Sequence, residues 1–337
     1  MTILITGGAG YIGSHTCVEF LKAGYNIIVL DNFCNSDRQI IDYIKQISSK
    51  NFKHYECDLC NKDQINRIFM ENKIDSVIHF AGLKSVPESV KNPLKYYENN
   101  ITGTINLLDA MNSHQVVNIV FSSSATVYGM NNKVPYNEDM PLSATNPYGW
   151  TKVMIEQIIK DYAAANTSFR AAILRYFNPI GAHPSGLLGE KPEGLPSNLM
   201  PYICQTSIGK LPYLKVCGTD FETKDGTGIR DYIHVCDIAN GHLKALELLN
   251  KKSGIFIYNL GSGTGTSVLE LITTFEKVNE MQLPRMNCNR RPGDISVSYA
   301  DIHKAKKELG WKINYTLEDM CRDSWNYIKK FKECNNI

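Results

Sequence analysis

The chain has 337 residues, with 36 Lys and Arg against 34 Asp and Glu, a formal net charge of +2 and 43% hydrophobic residues. That length is generous for one core, so a large domain with a smaller one is expected; interspersed charge without a basic stripe argues against a nucleic-acid partner. No apolar stretch approaches the ~20 residues that span a bilayer, and no basic n-region precedes Thr2-Ile3-Leu4-Ile5-Thr6, so the chain reads as soluble and cytoplasmic.

The β-branched run Thr2 to Thr6 predicts a buried strand, and Ser14 to Leu21 a helix that stops at Gly24. Between them the glycines fall at Gly7, Gly10 and Gly13, a variant of the dinucleotide fingerprint that lets backbone approach a pyrophosphate at a helix amino end. A second strand, Asn26 to Leu30, ends at Asp31; a carboxylate about 20 residues past the loop accepts from ribose hydroxyls and repels a 2′-phosphate, which favours NAD over NADP. Cys57-Asp58-Leu59-Cys60 is the one Cys-x-x-Cys, and without a second pair at matching spacing it makes no zinc site; the ten cysteines read as free thiols, and no metal is expected.

Further strands are predicted at Asp75 to His79, Asn118 to Ser124 and Ala171 to Phe177, with helices at Thr104 to Met111 and Val153 to Ala165. This alternation predicts an α/β fold, a doubly wound parallel sheet of the Rossmann type with a smaller α/β substrate-binding domain. His79, inside a strand, is expected to be a satisfied core histidine. Ligands gather at the carboxyl ends of such strands, so Ser124 and the helix opened by Asn146-Pro147 can face one crevice.

That helix carries Tyr148 and Lys152 one turn apart, on one face. An ammonium beneath a phenol favours the phenolate, a base. Moving a phenol from pKa ~10 to near 7 takes roughly 4 kcal/mol, whereas one cation at ~6 Å in an effective dielectric of ~20 supplies roughly 2.8 kcal/mol. A cationic nicotinamide nearby would supply the rest.

The cofactor domain is expected to span 1–178 and a mainly substrate-binding domain 179–337, opened by Gly- and Pro-rich segments such as His183-Pro184-Ser185-Gly186 and Glu193-Gly194-Leu195-Pro196. A segment near 234–262, with the strand Ile255 to Leu260, is expected to return to the first domain. Arg290-Arg291-Pro292-Gly293-Asp294 places two guanidinium groups in a turn suited to phosphate oxygens, and helices at Ile302 to Leu309 and Leu317 to Phe331 close the chain.

Taken together, Thr6 to His15, Leu30-Asp31-Asn32, His79-Phe80-Ala81-Gly82-Leu83-Lys84, Ser122 to Gly129, Tyr148 with Lys152, Leu174 to Pro179, Asn198 to Tyr202, Gly226 to His234 and Arg290 to Asp294 resemble the extended short-chain dehydrogenases, and within them the UDP-glucose (UDP-galactose) 4-epimerases. The resemblance covers nearly the whole chain. It implies that Tyr148 removes the proton of the sugar 4-hydroxyl while hydride passes to NAD, that Ser124 hydrogen-bonds the same oxygen, and that Lys152 holds the cofactor ribose. The 4-keto sugar must then turn over without leaving, so the nucleotide anchors the substrate while the hexose is held loosely.

By the same resemblance, Gly7, Gly10, Tyr11, Ile12, Gly13, Asp31, Asn32, Asn35, Ser36, Asp58, Leu59, Phe80, Ala81, Gly82, Lys84, Asn99, Ser122, Tyr148, Lys152 and Tyr176 would hold NAD. Ser124, Tyr148, Phe177, Asn178, Asn198, Leu199, Cys217, Arg230, Arg291, Asp294 and Ser298 would hold the UDP-sugar, in a homodimer. Related dehydratases carry an Asp-Glu acid pair after the hydroxyl residue; here Ala125 and Thr126 stand there, and neither is a general acid. Val216-Cys217-Gly218 replaces the family's Ile-Phe-Gly, removing an aromatic near the uracil. Ser298 stands where relatives restricted to UDP-glucose resemble this segment but carry tyrosine, which implies that UDP-GlcNAc and UDP-GalNAc also fit. Another NAD-dependent sugar-nucleotide epimerase or dehydrogenase, or a non-catalytic NAD-sensing scaffold, stays open as a reading of the same fold; the scaffold needs a broken catalytic set, and Ser124, Tyr148 and Lys152 are all present.

Overall fold

The computed structural model describes residues 1–191, 194, 196, 198–291 and 293–335, without the side chains from 334 onward; Glu193, Leu195 and Pro292 of the segments above lie outside the described residues. The first half runs β1 (Thr2–Thr6), α1 (Tyr11–Lys22), β2 (Asn26–Asp31), α2 (Gln39–Ser48), β3 (Lys53–Glu56), α3 (Lys62–Glu71) and β4 (Ser76–His79). Then come α4 (Val86–Lys91), α5 (Pro93–Tyr97), a π-helical turn (Glu98–Thr102), α6 (Gly103–Ser113), β5 (Asn118–Ser124), α7 (Pro147–Ala165) and β6 (Arg170–Tyr176).

The second half holds β7 (Asn178–Ile180), α8 (Leu199–Ser207), β8 (Leu214–Cys217), β9 (Ile229–Arg230), β10 (Tyr232–His234), α9 (Val235–Leu249) and β11 (Ile255–Leu260). It closes with β12 (Thr266–Ser267), α10 (Val268–Val278), β13 (Arg285–Cys288), β14 (Val297–Ser298), α11 (His303–Leu309) and α12 (Leu317–Asn335).

Seven parallel strands form the main sheet in the order β11-β6-β5-β4-β1-β2-β3. Alternation along a strand sends neighbouring side chains to opposite faces. Ile3 and Ile5 therefore pack with α1, α2 and α9 on one face, while Leu4 packs with α3, α6 and α7 on the other. Buried on both sides, these strands read as continuous apolar runs, which is why the sequence shows them plainly. By contrast β3, Lys-His-Tyr-Glu at a sheet edge, is largely exposed and carries no such signal. Strand β11 does lie in the main sheet, with Ile255 to Leu260 paired against Ala171 to Tyr176.

A third core joins Ile203, Leu214, Val216, Leu271, Phe275, Met320 and Ile328 in the second lobe. Helix α7 begins with Pro147 in its first turn, and the Asn146 side chain accepts from the Gly149 N–H at 2.9 Å. Such a cap is worth about 1 kcal/mol and holds the start of the helix, hence Tyr148, in place. His79 is the core histidine expected: it is 1% exposed, and its two ring nitrogens lie 2.8 Å from the Thr6 and 3.0 Å from the Thr104 hydroxyl. Among the described residues no helix is long and apolar enough to cross a membrane.

Candidate active site

The carboxyl end of β5 meets the first turns of α7. Lys152 Nζ donates to the Ser122 carbonyl at 2.8 Å and lies 5.8 Å from the centre of the Tyr148 ring. Ser124 lies close enough to the Tyr148 phenol to favour its ionised form. Ser124 Oγ meanwhile accepts from the Thr126 hydroxyl at 3.0 Å. With an acceptor site occupied by Thr126, the Ser124 proton is free to point at the phenol or at an oxygen bound beside it.

Burial lowers the Lys152 ammonium to about 8, with the Glu156 carboxylate working in the opposite direction. Burial also pushes the Tyr148 phenol above its ordinary value, and the Ser124 hydrogen bond offsets only part of that. Without the cofactor, desolvation works against the phenolate. The arithmetic that called for a second positive charge becomes more demanding.

Glu156, one turn beyond Lys152 and fully buried, accepts from Arg175 (Nη2–Oε2 2.6 Å, Nε–Oε1 3.0 Å) and from the Ser123 hydroxyl at 2.6 Å. Arg175 also donates to the Tyr128 hydroxyl at 3.0 Å, whose own proton goes to Asn259 Oδ1 at 2.6 Å. This network ties α7 to β5, β6 and β11 behind the catalytic groups. Sequence reasoning missed it; an arginine inside the apolar β6 run was the available signal, since a buried guanidinium requires a partner.

The glycine loop forms a cradle. Gly7 has φ +69°, and a Cβ there would lie 2.6 Å from the Ala81 nitrogen; one at Gly13 would lie 2.2 Å from the Gly7 carbonyl oxygen. Helix α1 has no side-chain cap at Gly10 and no acidic residue in its first turn, so its amino end keeps N–H groups for an anion. Asp31 accepts from the Ala9 N–H at 2.9 Å and the Ser36 hydroxyl at 3.0 Å, and Asn32 donates to Asp58 at 2.8 Å. Burial raises the Asp58 carboxyl, but hydrogen bonds from Cys60 and Asn32 outweigh it and hold it below its ordinary value.

Phe80 faces His242 at 4.5 Å between ring centres, and Tyr176 hydrogen-bonds the same histidine (3.1 Å) and Ser122. Asn99 lies in the π-helical turn and donates to Asn100, which bonds Leu83 and the Thr151 hydroxyl of α7, linking the cofactor side to the catalytic helix. Lys84 is paired with Glu190 at 2.8 Å and lies over the Tyr11 ring. Ile12 is half-buried, Leu59 is buried and accepts from Asn106, and Gly82 and Asn35 are exposed.

On the substrate side, Arg230 and Arg291 converge on one carboxylate, Asp294, at 3.5 and 3.1 Å. Arg290 is turned away: it binds Asp220 at 2.8 Å and covers the Phe221 ring at 4.1 Å. The reading of two adjacent guanidinium groups in the turn is therefore corrected for Arg290, while Arg230 and Arg291, the arginines that the resemblance implied, meet at Asp294. Ser298 is buried, is the ladder partner of Arg230, and is hydrogen-bonded to the Tyr136 phenol. The Tyr136 and Phe177 ring centres lie 6.2 Å apart. Asn178 is exposed at the start of β7, Asn198 reaches Glu190 at 3.5 Å, Leu199 opens α8 against the third core, and Cys217 meets Cys288. Among the described residues no cluster of three His, Cys, Asp or Glu is placed to hold a metal ion.

The family model described as GDP-mannose 4,6 dehydratase matches residues 4–324. The UDP-glucose 4-epimerase of Bacillus subtilis (strain 168) is 56% identical over 327 residues, 97% of this chain and 96% of that protein. The crystal structure of UDP-glucose-4-epimerase from Stenotrophomonas maltophila with bound NAD and formylated UDP-arabinopyranose matches at TM-score 0.97 and 47% identity, covering 99% of each chain. That of the Bifidobacterium longum enzyme in complex with NAD+ and UDP matches at TM-score 0.94 and 49% identity, covering 98% of each. A sheet with this strand order, a hydroxyl, phenol and ammonium converging at the end of β5, and identity of this extent mean that the chain belongs to the UDP-glucose 4-epimerases of the extended short-chain dehydrogenase family.

Proposed function

We propose that the chain interconverts UDP-glucose and UDP-galactose by oxidising and re-reducing C4 of the hexose, and that it interconverts UDP-GlcNAc and UDP-GalNAc as well. The observation that carries the reading is the contact of Ser124, Tyr148 and Lys152 at one strand end. NAD fits the residues present, because the cradle at Gly7 and Gly13 leaves no room for a Cβ and the amino end of α1 is bare. Gly7, Gly10, Tyr11, Ile12, Gly13, Asp31, Asn32, Asp58, Phe80, Lys84, Asn99, Lys152 and Tyr176 are proposed to hold it. When bound, NAD accepts hydride from C4 and returns it.

In this reading the Tyr148 oxygen takes the proton of the 4-hydroxyl and later gives it back. Ser124, polarised by Thr126, donates to the same sugar oxygen. Lys152, which donates to the Ser122 carbonyl, would support the charge on Tyr148 and hold the cofactor ribose. Arg230 and Arg291 converge on one carboxylate, and their guanidinium groups would hold the diphosphate while the hexose rotates. Ala125 and Thr126 provide no acid to expel a 6-hydroxyl, so dehydration is not expected.

We assign 1–178, with the segment near 234–262, to the cofactor domain and the rest of 179–337 to the UDP-sugar domain, in a cytoplasmic homodimer. Support for the dimer comes from Val90, Leu94, Ile105, Trp150 and Met154, all exposed on helices α4 to α7 that pack together. The test is to supply UDP-galactose, then separately UDP-GalNAc, without added NAD, and resolve the products. UDP-glucose and UDP-GlcNAc are expected; silence even with NAD added would overturn the assignment. Ser298→Tyr should abolish the second conversion and spare the first, and loss of both, or of neither, would overturn the role of Ser298.

A further inference from the structure

Cys217 closes β8 and Cys288 closes β13, and the two are direct partners in a parallel ladder. Partners in a ladder send their side chains to the same face, and here the Sγ atoms lie 2.9 Å apart. Adjacent strands run ~4.8 Å apart, inside the ~4.4–6.8 Å between Cα atoms that a disulfide spans. Both residues are free, half-exposed thiols. The Cys-x-x-Cys of the sequence does not behave this way: Cys57 is buried and turns to the Asp58 carbonyl, while Cys60 turns to Glu98 and Asn99.

The pair lies beside the proposed phosphate grip. Burial and the Cys288 thiol push the Cys217 thiol up to about 11, with smaller effects from the charges of Arg291, which lowers it, and Asp294, which raises it; Arg291 follows Cys288 by three positions. The Cys288 carbonyl accepts from the Gly218 N–H, and a Cβ on Gly218 would run into Phe221 and Arg290. A group added to these sulfurs would therefore lie within electrostatic reach of Arg291 and Asp294.

We propose that Cys217 and Cys288 are a vicinal-dithiol modification site, which takes a small disulfide oxidant and closes to an internal disulfide in competition with the nucleotide end of the substrate. The competition rests on the UDP-sugar reading above; the thiol chemistry does not. In the first step the thiolate of one cysteine attacks one sulfur of glutathione disulfide, forming a mixed disulfide and expelling a glutathione thiolate, which takes up a proton. The second cysteine then loses its proton and displaces the remaining glutathione. Two protein thiols are oxidised to one disulfide, and one glutathione disulfide is reduced to two glutathione thiols.

The purified protein is incubated with glutathione disulfide, with and without saturating UDP, quenched with iodoacetamide and analysed by intact mass and peptide mapping; UDP binding is measured separately by calorimetry. A Cys217–Cys288 cross-linked peptide is expected, reversed by dithiothreitol and formed about tenfold more slowly with UDP present, a coupling of ordinary size. Cys288→Ser should stop at the glutathione adduct of Cys217. Oxidation that spares this pair while other cysteines react would overturn the dithiol assignment. A bridge that forms equally fast in the presence of UDP shown by calorimetry to bind would overturn its place at the nucleotide subsite. If calorimetry shows no UDP binding, the UDP-sugar reading fails, while the mapped peptide still decides the dithiol.

Discussion

Lys152 is only 6% exposed, and its ammonium titrates at about 8 rather than its ordinary 10.5. A depressed lysine means that the native state releases the proton more readily than the unfolded chain, so the cost of burying the charge is fully present below pH ~8 and fades as pH rises toward the unfolded value. That cost is about 3 kcal/mol. Lys152→Met, which keeps the buried stem without the charge, is therefore expected to raise stability at pH 7 by up to about 3 kcal/mol in urea unfolding while cutting turnover by ~10²–10⁴-fold. The stability gain should shrink as pH approaches 10; a gain unchanged with pH, or a loss at pH 7, would contradict this account. The Tyr148–Lys152 spacing was legible because helix geometry is local. The direction of the Tyr148 shift was not, because desolvation depends on what covers the ring.

At the scale of elements, the loop between β1 and α1 shows how close packing stands behind a glycine signature. A Cβ at Gly13 would sit 2.2 Å from the Gly7 carbonyl oxygen, and backbone cannot yield that far without moving the loop. Gly13→Ala should cost ~1–3 kcal/mol in stability and release the nucleotide, read as loss of NAD absorbance from the denatured protein. Retention of full nucleotide content would show that the loop is not the cradle proposed. Helix α7 was legible from Asn146-Pro147 and its apolar run, but Glu156 read as one more helix-former. Its burial against Arg175 follows only from α7 lying on β5 and β6. The π-helical turn that carries Asn99 left no mark in the sequence, because its single extra residue alters no periodicity that a short window resolves.

The molecule as a whole leaves an apolar surface on the helices that flank the catalytic one, with Leu94 80% and Trp150 39% exposed. Single exposed apolar side chains are ordinary, and this group on packed helices is the surface that the proposed dimer would bury. Replacing both Leu94 and Trp150 with glutamate should convert a dimer to a monomer in light scattering; a parent protein that is itself monomeric would refute the assembly. By itself the sequence determined the cofactor half, its glycine loop, the buried parallel strands, and the phenol and ammonium one helical turn apart. All of these follow from spacing within one or two elements. Only the tertiary structure decided that Arg290 turns to Asp220 and Phe221, that Ser298 meets Tyr136, and that Cys217 meets Cys288. These partners lie on separate strands and loops of the chain. No local pattern encodes such pairings, because they are set by the strand register and packing that bring distant segments together.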